Sequence, residues 1–294
     1  MGRRNFGRIV FAMVSLAVMV GCQALRHAAE GMGLVASSGS EWFESTDRVT
    51  AAIKDGASSD AALQQQVPEL VAMVKADAQN RAIFQFWGMS INYDEAAKAE
   101  IVAPEIVAAI GRAANISMDG RFVHAGLMHT YGYLLSNLVT PYGYKRERWT
   151  LPTIDSGLGW AHGPISPAPK QGTLLINVTA LAGKIAFRNE SDRLNALEQA
   201  TSSAAPEIRG MDVKSLSIKS LVEQVNVPST LAKKGARTVT IRTDLVRFPS
   251  PQSDEKALTH LLVYSIHDSE VAGTRLITAF PMTEAAAAGV LQPD

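Results

Sequence analysis

Three runs near the C-terminus decide the fold: Arg237-Thr-Val-Thr-Ile-Arg-Thr243, Thr259-His-Leu-Leu-Val-Tyr-Ser-Ile266 and Thr274-Arg-Leu-Ile-Thr-Ala-Phe280. In the first, Val239 and Ile241 alternate with Thr238, Thr240 and Arg242. A period of two with β-branched residues fits a strand that keeps one face in solvent. The segment Asp268 to Gly273 offers turn residues between the last two runs, which predicts a C-terminal hairpin.

Upstream the grammar is different. From Thr46 to about Val139 the chain is rich in Ala, Leu, Gln, Glu and Lys, and apolar residues return every three or four positions. Leu63, Val67, Leu70, Val71 and Val74 form one stripe; Ala97, Ile101, Ile106, Val107 and Ile110 form another. The expected helices are 46–55, 59–76, 79–87, 93–113 and 119–139, with Pro68 and Pro104 dividing or kinking two of them. After Pro141, glycine, proline and β-branched residues replace the alanine stripes, and 142–171 reads as an ordered surface loop. Thr173-Leu-Leu-Ile-Asn-Val-Thr179 and Lys184-Ile-Ala-Phe-Arg188 read as two strands turned at Ala182-Gly183, followed by a short helix at 191–201. The sum is an α+β protein: an N-terminal helical layer, then a mainly antiparallel β-sheet ending in a hairpin. The expected division is a helical subdomain at 45–140 and a β-rich subdomain at 141–294 packed on it.

The N-terminus carries a separate message. Met1-Gly-Arg-Arg-Asn-Phe-Gly-Arg8 is basic, and the twelve-residue apolar run Ile9 to Val20 follows, closing on Gly21-Cys22. A bilayer-spanning helix needs about 20 apolar residues, so this run reads as a signal peptide over 1–21. Met19-Val20-Gly21-Cys22 resembles the lipobox of bacterial lipoproteins, with Met19 where that family usually has leucine. The resemblance implies that Cys22 is acylated with fatty chains such as palmitate and becomes the new N-terminus. In that family a residue other than aspartate after the cysteine, here Gln23, implies sorting to the outer membrane if the host is Gram-negative, facing the periplasm or the cell surface. Arg3-Arg4-Asn5-Phe6 also resembles part of a twin-arginine export signal. Residues 22–44, with Gly31-Met-Gly33 and Ser37-Ser-Gly-Ser40, suit a flexible tether. The sequons at Asn115, Asn177 and Asn189 would matter only in a eukaryotic secretory route.

Cys22 is the only cysteine of the chain, so a lipid on it leaves no thiol for a disulfide, a zinc site or a nucleophile. Arg3, Arg4 and Arg8 precede it; without them 25 basic residues stand against 28 acidic ones, a net of −3. That balance gives no support to nucleic-acid binding, which rests on clustered positive charge. The expected partners are a membrane, through the lipid, and an envelope ligand or protein; no cofactor is implied.

Residue types that do chemistry are densest in Arg121-Phe-Val-His124-Ala-Gly-Leu-Met-His129-Thr-Tyr131-Gly-Tyr133 and in Tyr142-Gly-Tyr144-Lys-Arg-Glu-Arg148-Trp149. On a helix, five residues turn through about 140° beyond a full revolution, so His124 and His129 would face apart and make a poor metal pair. Two readings remain. The histidines and tyrosines hydrogen-bond at a half-buried edge of the helical layer; or His124, His129, Tyr131, Arg146, Arg148 and Trp149 line a cleft for an anionic ligand, held by guanidinium groups. Trp149, Asp155, Trp160 and His162 sit in the Gly/Pro-rich loop, where functional residues concentrate. The chain has no G-x-S-x-G, no Walker A loop, no strand-borne G-x-G-x-x-G and no H-E-x-x-H.

Leu276-Ile-Thr-Ala-Phe-Pro281 loosely resembles the last strand of the barnase/EndoU-like ribonuclease superfamily. That resemblance would make His260 and His267 acid and base, Arg275 a phosphate clamp and Thr278 a hydroxyl donor. A strand that ends in Phe-Pro is equally a good buried strand with a stop signal. The catalytic reading requires His260 or His267 to meet Arg275 in one concave site.

Overall fold

The computed structural model describes residues 41–95, 97–140, 143–146, 165, 169–229, 231, 235–248, 258–288 and 290. Cys22, Arg148, Trp149, Asp155, Trp160 and His162 lie outside them. The protein is α+β: helices dominate up to residue 209, and a four-stranded antiparallel sheet follows.

Helix α1 (Glu41–Lys54) opens the described chain. The expected helix 59–76 is in fact two, α2 (Ser59–Gln66) and α3 (Pro68–Gln79). Pro68 lacks an N–H and cannot continue α2, but it suits the first position of α3, where that N–H would have no partner. Ser58 caps α2 by accepting the Ala61 N–H. Residues 81–86 form a 3₁₀ turn, and β1 (Met89–Ile91) follows. In the span 93–113 only α4 (Pro104–Ala113) is helical, because its proline again starts rather than interrupts the helix.

The expected helix 119–139 begins instead as a strand. β2 (Phe122–His124) pairs antiparallel with β1, and the chain then winds through α5 (Ala125–Leu127) into a π turn at Met128–Gly132. The short β3 (Val139–Thr140) and β4 (Gly143–Tyr144) form a second ribbon.

The largest departure from expectation is at 173–188. The two strands read there are one helix, α6 (Leu174–Ala186), in which every residue except Lys184 is buried. Thr173 caps it, its hydroxyl accepting the Ile176 N–H. Gly183 marks a close approach rather than a turn: a Cβ there would stand 2.6 Å from the Leu197 side chain. A helix apolar on every side shows no amphipathic period and must be surrounded. Here α6 touches β7 and β8 on one side and α3, the 3₁₀ turn and the π turn on the other. Helices α7 (Ser191–Ala200) and α8 (Pro206–Arg209) complete the layer.

The sheet is a meander of β5 (Ser217–Pro228), β6 (Ala236–Arg247), β7 (Leu258–Asp268) and β8 (Arg275–Thr283), in that spatial order. The register places Val246, Leu261, Val263, Leu276 and Ala279 on the face toward α6, and all belong to the main core, which runs from Val49 to Ala279. The opposite face carries Leu245, Leu262, Phe280 and Met282 under α9 (Glu284–Ala288) and Val290. The β8 edge is partly covered, since Gly88 N–H donates to the Leu276 carbonyl at 2.8 Å and Trp87 bridges to Leu276.

Candidate functional site

His124 ends β2 and caps α5. Its Nδ1 accepts the Leu127 N–H at 3.2 Å, and its Nε2 stands 3.2 Å from the Phe84 carbonyl, to which it donates in the neutral tautomer. Burial depresses its pKa to about 4, so the ring is neutral at physiological pH. Both nitrogens are engaged by backbone, which makes His124 a scaffold residue of the ribbon-to-helix junction.

His129 lies on the π turn, and π turns recur at functional sites because the extra residue re-aims a side chain. Its Nε2 stands 3.1 Å from the Ser90 hydroxyl on β1, while its ring rests 4.8 Å from that of Tyr133. Over Tyr133 sits the Lys145 ammonium, 4.9 Å from the ring centroid and 3.2 Å from the Asp94 carboxylate. His129 is buried, whereas Ser90 is partly open to solvent. One strand residue, the bridge residue Asp94, the π turn with the Tyr133 that follows it, and the start of the 145–146 segment thus converge in one corner: Ser90, Asp94, His129, Tyr133 and Lys145.

Of the residues expected to hold an anion, Arg146 faces inward. It is 6% exposed, donates to Asn137 Oδ1 at 2.6 Å and stands 3.8 Å from Asp47. Lys145 is likewise taken up by Asp94 and Tyr133. Both cations thus have acidic partners within the fold, and Arg148 and Trp149, the other members expected to line the anion cleft from this segment, lie outside the described residues. Asn137 also lines a cleft of about 280 Å³ between α1, α4 and Leu135–Leu138, walled by Val102, Ile106, Leu135 and Leu138.

Tyr131 belongs to a different, fully enclosed site. Its hydroxyl donates to Asp77 Oδ2 at 2.6 Å and accepts the Leu175 N–H at 3.3 Å. Thr173 donates to the other Asp77 oxygen at 2.5 Å while capping α6. Asp77 is 0% exposed, and burial pushes its carboxyl up to about 7 against the pull of these two hydroxyls. Burial together with the neighbouring carboxyl pushes the Tyr131 phenol upward too. Asp77 sits near the end of an ordinary alanine-bearing stretch, and nothing in the sequence pattern marks it. Its depth follows only from the placement of α6.

A second buried carboxylate, Asp244, joins the sheet to α6. Arg188 grips it with two hydrogen bonds of 3.0 and 2.9 Å, Arg242 adds one at 2.9 Å and Ser220 one at 2.6 Å. This fourfold set is a tie between layers.

The hairpin residues do not converge. His260 and His267 are seven residues apart on one strand, which separates them by roughly 23 Å and puts them on opposite faces. His260 lies beside Thr259 and Glu284, and burial lowers its pKa; His267 is exposed. Arg275 pairs with Ile266 and Thr278 with Tyr264, so neither shares a face with His267, and His260 pairs with Met282 farther along. Among the described residues, no three His, Cys, Asp or Glu side chains come together as metal ligands, and no helix is long and apolar enough to cross a membrane.

No known family model matches the chain, and neither a characterised protein nor a solved structure matches it.

Proposed function

We propose that the chain is a lipid-anchored protein of the bacterial envelope, held at the outer membrane through Cys22, whose α+β body binds a ligand in the periplasm or at the cell surface. The observation that carries this reading is the twelve-residue apolar run Ile9 to Val20 closing on the only cysteine of the chain, behind a basic start. The first described helix starts at Glu41, and the sequence between it and Cys22 carries Gly31-Met-Gly33 and Ser37-Ser-Gly-Ser40, a composition that suits a tether. The test is mass spectrometry and membrane fractionation of the protein made in a bacterial host, native against Cys22→Ala. The expected result is an acylated N-terminus at Cys22 and loss of membrane retention in the variant; an unprocessed, soluble native chain would sink the reading.

One observation favours a second reading, a hydrolase. Ser90 Oγ and His129 Nε2 stand 3.1 Å apart, the separation of a nucleophile and its general base, with the hydroxyl on the solvent side. In that reading Ser90 attacks an acyl carbonyl, His129 takes its proton and returns it to the leaving group, and water releases the acyl group. A serine-reactive phosphonate probe tests it: labelling at Ser90 that disappears in Ser90→Ala and in His129→Gln supports it, and an unlabelled native protein dismisses it. The separated hairpin histidines lend no such geometry to the ribonuclease reading.

A further inference from the structure

Among the described residues, strand β5 is an unpaired edge of the sheet. Among the described residues its one strand neighbour is β6, and its middle is open on both faces: Leu221 is 45% and Val222 53% exposed. A twelve-residue edge with an outer row of backbone groups is a template for another strand, and proteins usually blunt such edges or use them. The chain places the side chains of β5 in a self-complementary order. Register with β6 puts Ser217, Lys219, Leu221, Glu223 and Val225 on the face away from α6. If a second β5 runs antiparallel about a two-fold axis through Leu221, Lys219 stands opposite Glu223 of the copy, Glu223 opposite its Lys219, Leu221 opposite Leu221, and Ser217 opposite Val225. On the other face Val222 meets Ser220 and Ile218 meets Gln224. Shifting the axis to residue 219 or 223 sets Lys against Lys or Glu against Glu; shifting it to 220 or 222 sets each charge against an apolar or polar residue. Only the Leu221 register satisfies both charges and the exposed leucine together. Among the described residues neither Lys219 nor Glu223 makes an ion pair within the chain. The exposure of Val222 on the helix side shows that the helical layer stops short of this edge, leaving room for the layer of a second copy.

We propose that two copies of the chain join edge to edge through β5, forming one continuous eight-stranded antiparallel sheet centred on the Leu221 pair. Such an interface is isologous: each charged contact occurs twice by symmetry, which is why a single change strikes it twice. Directly opposed unlike charges stabilise a strand pair and like charges oppose it.

The test is the oligomeric state of the full chain in detergent, by analytical ultracentrifugation, with folding of each variant confirmed by circular dichroism. The native chain is expected to be dimeric. Lys219→Glu carries only acidic residues at these two places and Glu223→Lys only basic ones, so each alone is expected to lose the dimer. Mixed in equal amounts the two variants are expected to pair with each other, and the double variant Lys219→Glu/Glu223→Lys to recover self-association. In a Cys22→Ala background, Leu221→Cys is expected to give a disulfide-linked dimer on mild oxidation, while Leu231→Cys, on the exposed β5–β6 connection, is not. A native chain that stays monomeric across the concentration range overturns the proposal. So does a dimer indifferent to these substitutions, or a mixture of single variants that stays monomeric.

Discussion

Replacing Asp77 by asparagine separates two opposing pH effects that the native protein superimposes. The carboxyl of Asp77 ordinarily titrates near 3.8 and is pushed to about 7 in the folded chain, mainly by burial. The folded state therefore holds this proton more tightly than the unfolded one, and stability falls as pH rises from about 4 to about 7. That contribution amounts to about 4 kcal/mol over the window. His124 works the other way. Its ordinary value of 6.5 drops to about 4 on burial, so the unfolded chain takes up the proton first and stability rises over that span. The gain is about 3 kcal/mol between pH 4 and 6.5. In the native chain the two slopes nearly cancel. A carboxamide at this position mimics the protonated acid in shape and in charge, so Asp77→Asn is expected to match the native protein near pH 4 and to exceed it by about 4 kcal/mol above pH 7. Urea unfolding at half-unit pH steps measures this directly, and the difference between the two proteins removes every other titrating group, His260 included. A difference that does not change with pH between 4 and 7 would refute the reasoning and show that Asp77 is held ionised by Tyr131 and Thr173.

Further outcomes follow from the packing around the central helix. Asp244→Ala strands the Arg188 and Arg242 guanidinium groups against a buried gap and is expected to cost about 3–5 kcal/mol by urea denaturation, far more than a surface ion pair. Gly126→Ala would set a Cβ 2.8 Å from the Trp87 ring, and a loss of about 1–3 kcal/mol is expected in the same assay. Thr179→Val removes the acceptor 2.8 Å from the Trp87 indole N–H; a destabilisation of about 1–3 kcal/mol is expected, with a shift in the indole proton resonance on NMR.

How much of this is legible in the sequence depends on whether a segment meets solvent. Strands β6, β7 and β8 are all legible, β6 through the alternation of Val239 and Ile241 with polar residues, although that alternation ends at Thr243 while the strand runs on through the buried Asp244, Leu245 and Val246 to Arg247. Helix α6 reads as two strands because the pattern that distinguishes helix from strand is a contrast between an apolar side and a polar one, and a surrounded helix has no polar side. Ile176, Val178 and Thr179 then tip the reading toward β, although β preference reflects packing context as much as backbone preference. Strand β5 escapes the pattern for the opposite reason: on an edge open on both faces, Leu221-Val222 breaks the alternation without penalty. The site residues divide likewise. His129 and Lys145 stand out by type, but Ser90, Asp94 and Asp77 do not, since their significance comes from a π turn and from helix burial that no local spacing encodes. Arg146 looks like a ligand group in a charge run; the fold turns it inward onto Asn137 and Asp47.

The burial of α6 on every side also has a kinetic side. During synthesis residues 174–186 are complete well before residues 258–283, which cover one of their faces, so an apolar helix waits for strands not yet made. The Trp87–Leu276 bridge is more distant still, and contacts of such long sequence separation form late because loop closure must precede them. A nascent or truncated chain that stops before β7 thus presents α6 as a sticky surface. The interval before the last two strands arrive is when aggregation and proteolysis compete most strongly with folding.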